Sequence, residues 1–204
     1  KEMDALNLLY DRQRKQYQIA RQNVQIINRK CHELKVQIAD LRRLQPDEAT
    51  TRSLDEAEQA ARMYDANAAT GNEVLDVVLT EKSLLCEAQS IRLNCVADGT
   101  CLAAIEPGDL YALFSNLLDQ AIDAAAQQQN DRRMIDLLVC RRQGFAVINV
   151  IGPALSGSQS DHGRRHSYEL KVARRVVQKY SGTMATEPRG ELFAVKIVLP
   201  LTRG

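Results

Sequence analysis

His32 and Glu33 stand side by side in Cys31-His32-Glu33-Leu34-Lys35, a stretch otherwise suited to a helix. An imidazole that gives its Nδ1 proton to a neighbouring carboxylate keeps Nε2 free to attack an electrophile. His32 and Glu33 could form such a pair, or stand as two more polar residues on a solvated helix. His162 and His166 fall in a polar stretch and read as surface residues. A second candidate is NLLDQAIDAA, residues 116–125, where apolar residues recur at helical spacing, acids fall between them and Gln120 stands at the centre. The five cysteines are odd in number and contain no Cys-x-x-Cys pair, so neither a disulfide framework nor a zinc site is signalled. Cys31, Cys86, Cys95 and Cys140 sit in apolar patterns, as reduced core residues do.

The elements that position these residues fall into two halves. Residues 1 to 44 contain no Gly or Pro and read as one long helix. Tyr10, Tyr17, Val24, Cys31 and Ile38 recur every seven residues, and Leu6, Gln13, Ala20, Ile27, Leu34 and Leu41 form a second such series. These are the a and d positions of a coiled coil. His32 then sits at b, beside the seam and open to solvent, where a nucleophile must be to meet another domain. Pro46 ends this helix, and residues 47 to about 69 resume at helical spacing, which predicts an antiparallel hairpin. Only an oligomer or a bundle can bury so long a stripe, and two hairpins make a four-helix bundle, so a homodimer is expected.

The character changes at Thr70-Gly71-Asn72. A short amphipathic helix over Leu75 to Cys86, a strand over Ile91 to Val96, a helix led in by Pro107 and Gly108, and a hairpin of Met134 to Cys140 with Phe145 to Ile151 are predicted. A polar loop then runs to a helix over about Tyr168 to Tyr180, which Ser167 would cap. Leu192 to Leu199 closes the chain as a strand. Helices on one face of a mixed sheet make this half α+β.

Composition excludes several classes of function. A net charge of +1 gives no electrostatic case for nucleic acid. No stretch approaches the roughly 18–20 apolar residues of a membrane span, and the compartment is expected to be cytoplasmic. The heptads are already in phase at Lys1, which leaves room for a membrane sensor segment upstream.

Four motifs together resemble the cytoplasmic part of bacterial sensor histidine kinases of the GHKL ATPase superfamily, and in particular the peptide quorum-sensing receptor kinases. His32-Glu33-Leu34-Lys35 is similar to the phosphoacceptor box H-[DE]-L-K-N, with Val36 in place of the Asn. Thr70-Gly71-Asn72 with Leu75, Asp76 and Leu79 resembles the junction T-G-N-x-x-L-D-x-x-L. Asn116 to Ala124 resembles the N-box, usually N-L-L-D-N-A-I-E-A. His166 to Tyr180 parallels the second glycine box and its helix. The resemblance implies a dimerising, phosphotransferring helical hairpin over residues 1–70 that forms a dimeric four-helix bundle. A GHKL (Bergerat-type) α/β sandwich over 71–204 would follow. It also implies MgATP as phosphate donor and a response regulator as partner.

Position by position, the resemblance also implies erosion of the nucleotide site. Asn116 matches the first N-box Asn. Gln120 replaces the Asn that ligates Mg²⁺ and carries its carbonyl roughly one bond further out, against a metal that demands near-ideal octahedral geometry. Gly152 stands where an Asp or Asn would bond adenine, and Asn149 could serve only under a shifted register. Gly163 lies in the lid. Ser167 and Glu169 occupy two glycine positions, and Glu169 would set a negative charge against the triphosphate. The expectation is a pseudokinase or phosphotransfer module of two-component signalling with no high-affinity cofactor. The alternatives are an active kinase using MgATP on His32, a sporulation-type phosphotransferase, and a purely structural dimer.

Overall fold

The computed structural model describes residues 2–44, 46–65, 69–154 and 161–201. Helix α1 (Glu2–Arg43) opens the chain and stops just short of Pro46. Helix α2 (Glu48–Asp65) begins where Asp47 Oδ1 accepts the Thr50 amide at 3.0 Å, satisfying a donor that the first turn leaves open. Hydrogen bonding from Thr50, by its side chain first and then by its amide, holds the Asp47 carboxyl below its ordinary pKa. α2 packs back on the second half of α1, burying Cys31 and Ile38 of one helix and Leu54 and Ala61 of the other. Arg42 ties the pair, reaching Asp55 at 2.5 Å and Glu58 at 2.7 Å. The expected hairpin is present.

The first half of α1 is used differently from the expectation. It lies across the three helices that follow, and Ala20 and Val24 join their core. The a positions Val24, Cys31 and Ile38 are thus buried, and Tyr17 half-buried, within one chain and without a second copy. The reason is physical: an apolar stripe is satisfied by any apolar surface that reaches it first. Tyr10 and Leu6 lie outside the described side chains. Ile19, Ile26, Leu34, Leu41 and Leu44 stay exposed and share one face, so Leu34 and Leu41, d positions of the expected seam, are not buried within the chain.

Thr70-Gly71-Asn72 builds the start of α3 (Glu73–Ala88). Asn72 Oδ1 accepts the amides of Val74 and Leu75, and Thr70 donates to Asp76 from both its amide and its hydroxyl. Gly71 takes φ +83°, and a Cβ there would meet the Thr100 methyl at 2.7 Å, so both conformation and space call for Gly. Strand β1 (Arg92–Ala97) leads to α4 (Pro107–Ala126), which has Pro at its first position. Strands β2 (Met134–Arg142) and β3 (Phe145–Pro153) form a hairpin. Its turn residues Gln143 and Gly144 both have positive φ, as a right-twisted two-residue turn requires.

Helix α5 begins at Asp161 and runs to Lys179, seven residues earlier than its predicted start near Tyr168. Gly163, Ser167 and Glu169 are therefore helical in backbone, and Ser167 is not the N-cap expected of it. Strands β4 (Thr183–Arg189) and β5 (Leu192–Pro200) complete one mixed sheet in the order β1-β2-β3-β5-β4, with only β1 and β2 parallel. β4 was not predicted. Ile135, Leu137, Ile148, Val150, Val195 and Ile197 share one core with α4 and α5, giving the expected α+β fold. Among the described residues no helix is long and apolar enough to cross a membrane. Cys95, expected in the core, is exposed, whereas Cys101 is buried.

Candidate functional site

Helix α4 is buried on almost every side between the sheet beneath it and α1 above it. On the sheet side, Leu117, Gln120, Ala121 and Ala124 follow the spacing of one helix face. With Val150, Gly152, Pro153 and Ala154 of the β3 end and Phe193 and Val195 of β5, they line a cavity of about 230 Å³. Gln120 is the one polar side chain of its described lining. It is only 8% exposed and has no hydrogen-bond partner among the described residues. Burying an amide in this way is unfavourable unless something bonds it.

Gly152 lies in the wall, where a Cβ would meet the Ala121 methyl at an ordinary 3.6 Å. The backbone does not require glycine here, so a longer residue is accommodated at its first atom. Asn149, the alternative adenine partner, alternates with Val150 and so projects to the other face of the sheet, paired between Leu138 and Lys196. Asn149 is not among the described residues that line the cavity.

Asn116 sits one turn before Gln120 and further round the helix, on the flank that meets α1. It is 2% exposed, exchanges hydrogen bonds with the Gln13 amide, and donates to the Ala112 carbonyl at 2.5 Å. Gln13, the polar break in the d series, is thus the residue that satisfies a buried Asn. Further contacts fasten the same strap. Arg175 bonds Asn7, Arg14 pairs with Glu106, Arg21 pairs with Glu73 at 2.8 Å, and the rings of Tyr17 and Tyr111 lie 5.6 Å apart.

Two charged groups hold α4 in place. Lys82 of α3 is nearly buried and bonds Asp119 at 2.8 Å, beside Tyr111, whose hydroxyl donates to Glu81 at 2.9 Å. Burial, reinforced by the Glu81 carboxylate, pushes the Tyr111 hydroxyl far up. Asp109, fully buried in the first turn, takes Lys179 at 2.5 Å and the Tyr180 hydroxyl at 2.7 Å. The Asp109 hydrogen bond keeps the Lys179 ammonium charged to higher pH than usual. Neither cluster carried a signal in the sequence, because each joins residues from distant segments.

His32 is exposed on α1, as its b position predicted. Glu33 does not serve as its Nδ1 partner. Its carboxylate bonds the Lys30 ammonium at 2.7 Å, and that bond first, then the Lys30 charge, lowers its pKa. An i, i+3 ion pair is available at every instant on the helix surface, whereas the adjacent position points away. His32 and the cavity are not brought together by any described contact. Gly163, Ser167 and Glu169 lie on the first half of α5, and their side chains fall outside the described residues.

Apart from Gln120 the described lining is apolar and contains no Lys, Arg or His, and 230 Å³ is below the roughly 300–1,000 Å³ of pockets for larger ligands.

A family model for the GHKL domain matches residues 105–200, from the approach to α4 to the end of β5. This segment of the chain is a GHKL domain. Among solved structures, the chain is similar to a nucleotide-free catalytic domain of histidine kinase ThkA. The two share 15% identity, cover 66% of this chain and 96% of that one, and align with a TM-score of 0.50. The Acinetobacter baumannii histidine kinase AdeS also aligns at 15% identity, covering 84% of this chain and 98% of that one, with a TM-score of 0.48. At such identity the likeness speaks for the fold, which is the one used by histidine kinase catalytic domains. No curated protein matches the chain.

Proposed function

We propose that the protein is a cytoplasmic two-component signalling module of histidine-kinase descent, working as a pseudokinase or phosphotransfer partner of a response regulator. It acts as a homodimer, with any phosphate carried on His32. The observation that carries this reading is the cavity under α4. It occupies a GHKL domain at the N-box helix, yet its described walls offer one amide and no cation. Gln120 and Gly152 stand where the resemblance calls for a metal ligand and a base acceptor. An exposed imidazole on a hairpin beside such a domain supports a phosphoryl carrier, because Nε2 is unencumbered and solvent can deliver a partner to it.

In this mechanism the chain carries a phosphoryl group and does not activate a nucleotide. His32 Nε2 attacks the phosphorus of an aspartyl phosphate on a regulator: the N–P bond forms as the aspartyl O–P bond breaks, the Asp carboxylate leaves, and the ring gives its Nδ1 proton to solvent. The reverse transfer restores the regulator. The experiment is to incubate the protein with a labelled phosphorylated regulator and, separately, with labelled MgATP. Acid-labile, base-stable label is expected from the regulator alone and absent in His32→Ala. Label that survives His32→Ala contradicts the assignment.

A further inference from the structure

At the end of the sheet away from Gly152 lies another cavity, of about 690 Å³, within the roughly 300–1,000 Å³ of small-molecule pockets. Arg141, Ala146 and Leu199, paired in one row across β2, β3 and β5, line it. That row belongs to the core side of the sheet. Ile135, Leu137 and Val139 are all buried there, and the alternation of β2 carries on from them to Arg141. A guanidinium thus stands where the strand's period calls for an apolar side chain. Residues 100–105 form one wall, and Lys179, Tyr180 and Ser181 at the end of α5 form the other.

We infer that this cavity binds a small organic monocarboxylate with an apolar body. The charges of the lining set the class. Its described residues include two cations and no Asp or Glu. Lys179 is already matched by Asp109 at 2.5 Å and Glu106 at 3.2 Å. The Arg141 guanidinium has no hydrogen bond or ion pair with a described residue. One unmatched positive charge selects one negative charge, and a second on the ligand would be desolvated without a counterpart. The planar fork of a guanidinium fits a carboxylate with two parallel bonds. Ile105, Leu199, Pro200 and the Tyr180 ring supply apolar surface for the rest of the molecule. Lys179 and Tyr180 also hold Asp109 in the first turn of α4, so the occupant rests on residues that fix that helix. Neither His32 nor the cavity beneath α4 takes part.

The test uses the full chain with 4-phenylbutanoate and, as its uncharged counterpart, 4-phenylbutan-1-ol, titrated by calorimetry at neutral pH. The acid should bind about tenfold more tightly than the alcohol, because hydrogen bonds between charged groups are the stronger ones. Arg141→Gln, a change at an exposed side chain, should fold as the parent does and lose that preference. Ala104→Trp, on the exposed wall, should fill the space and weaken both ligands about tenfold or more. In the unaltered chain the acid should slow alkylation of Cys101, which lines the cavity, and leave the exposed Cys95 unchanged. Equal affinity for acid and alcohol, or no binding of either, overturns the inference. So does a preference that survives Arg141→Gln, binding untouched by Ala104→Trp, or protection that does not distinguish the two cysteines.

Discussion

Gln13 and Asn116 show how one polar residue in an apolar seam becomes intelligible. In the heptad pattern Gln13 is a defect, and in the fold it pairs with an Asn that is 2% exposed. Replacing Gln13 with Leu should cost about 1–2 kcal/mol in denaturant unfolding, because the Asn116 carbonyl loses its partner in a buried place. The double change Gln13→Leu with Asn116→Leu should recover part of that loss, and strict additivity would deny the coupling. Cys86 supplies a pH dependence. Desolvation raises its thiol from 9.0 to about 11, opposed by the Lys82 charge. The folded state therefore keeps a proton that the unfolded chain gives up, and stability is lost as pH rises through the window from about 9 to 11. Unfolding midpoints at pH 8 and pH 10.5 should differ more in the parent than in Cys86→Val. Residue identity at 120 and 152 was legible through the N-box spacing and the strand end. The pairing of Asn116 with α1 was not, since a motif names residues without saying which surface arrives to cover them.

At the scale of elements, the long helix, its stop at Pro46 and the return helix were all readable, because heptads and proline act locally. The occupant of the stripe was not readable. A period of seven encodes an apolar face and leaves open whether a second chain or the chain's own domain buries it. Here α3, α4 and α5 take the first half of the stripe, and α2 takes the second. The proposed homodimer would then use the exposed face of Ile19, Ile26, Leu34 and Leu41. Ile26→Asp with Leu34→Asp should shift the sedimenting mass from dimer to monomer, whereas Val24→Asp should instead unfold the α1 strap. A dimer mass untouched by the Ile26 and Leu34 changes would place the interface elsewhere. Strand β4 escaped prediction for a related reason. Thr183-Met184-Ala185-Thr186-Glu187-Pro188-Arg189 is a polar edge strand with a proline, and edges carry little hydrophobic alternation. The early start of α5 likewise overrides a Gly and several polar residues that read as a loop.

For the whole molecule, α1 and the GHKL domain share one apolar core, so a shift of the helix bears directly on α4 and on the cavity beneath it. On the proposed reading, the fold keeps its N-box helix as a packing element after its nucleotide chemistry has eroded, and phosphate passes through His32. Calorimetric titration of the full chain with MgATP tests that claim most directly. Gln120 at the metal position, Gly152 at the base position and Glu169 at a glycine position together predict a Kd above about 1 mM, an interaction weaker than roughly 4 kcal/mol. Restoring Asn at 120, Asn at 152 and Gly at 167 and 169 should bring measurable binding back. Micromolar affinity in the unaltered chain would contradict the account and favour the active-kinase reading.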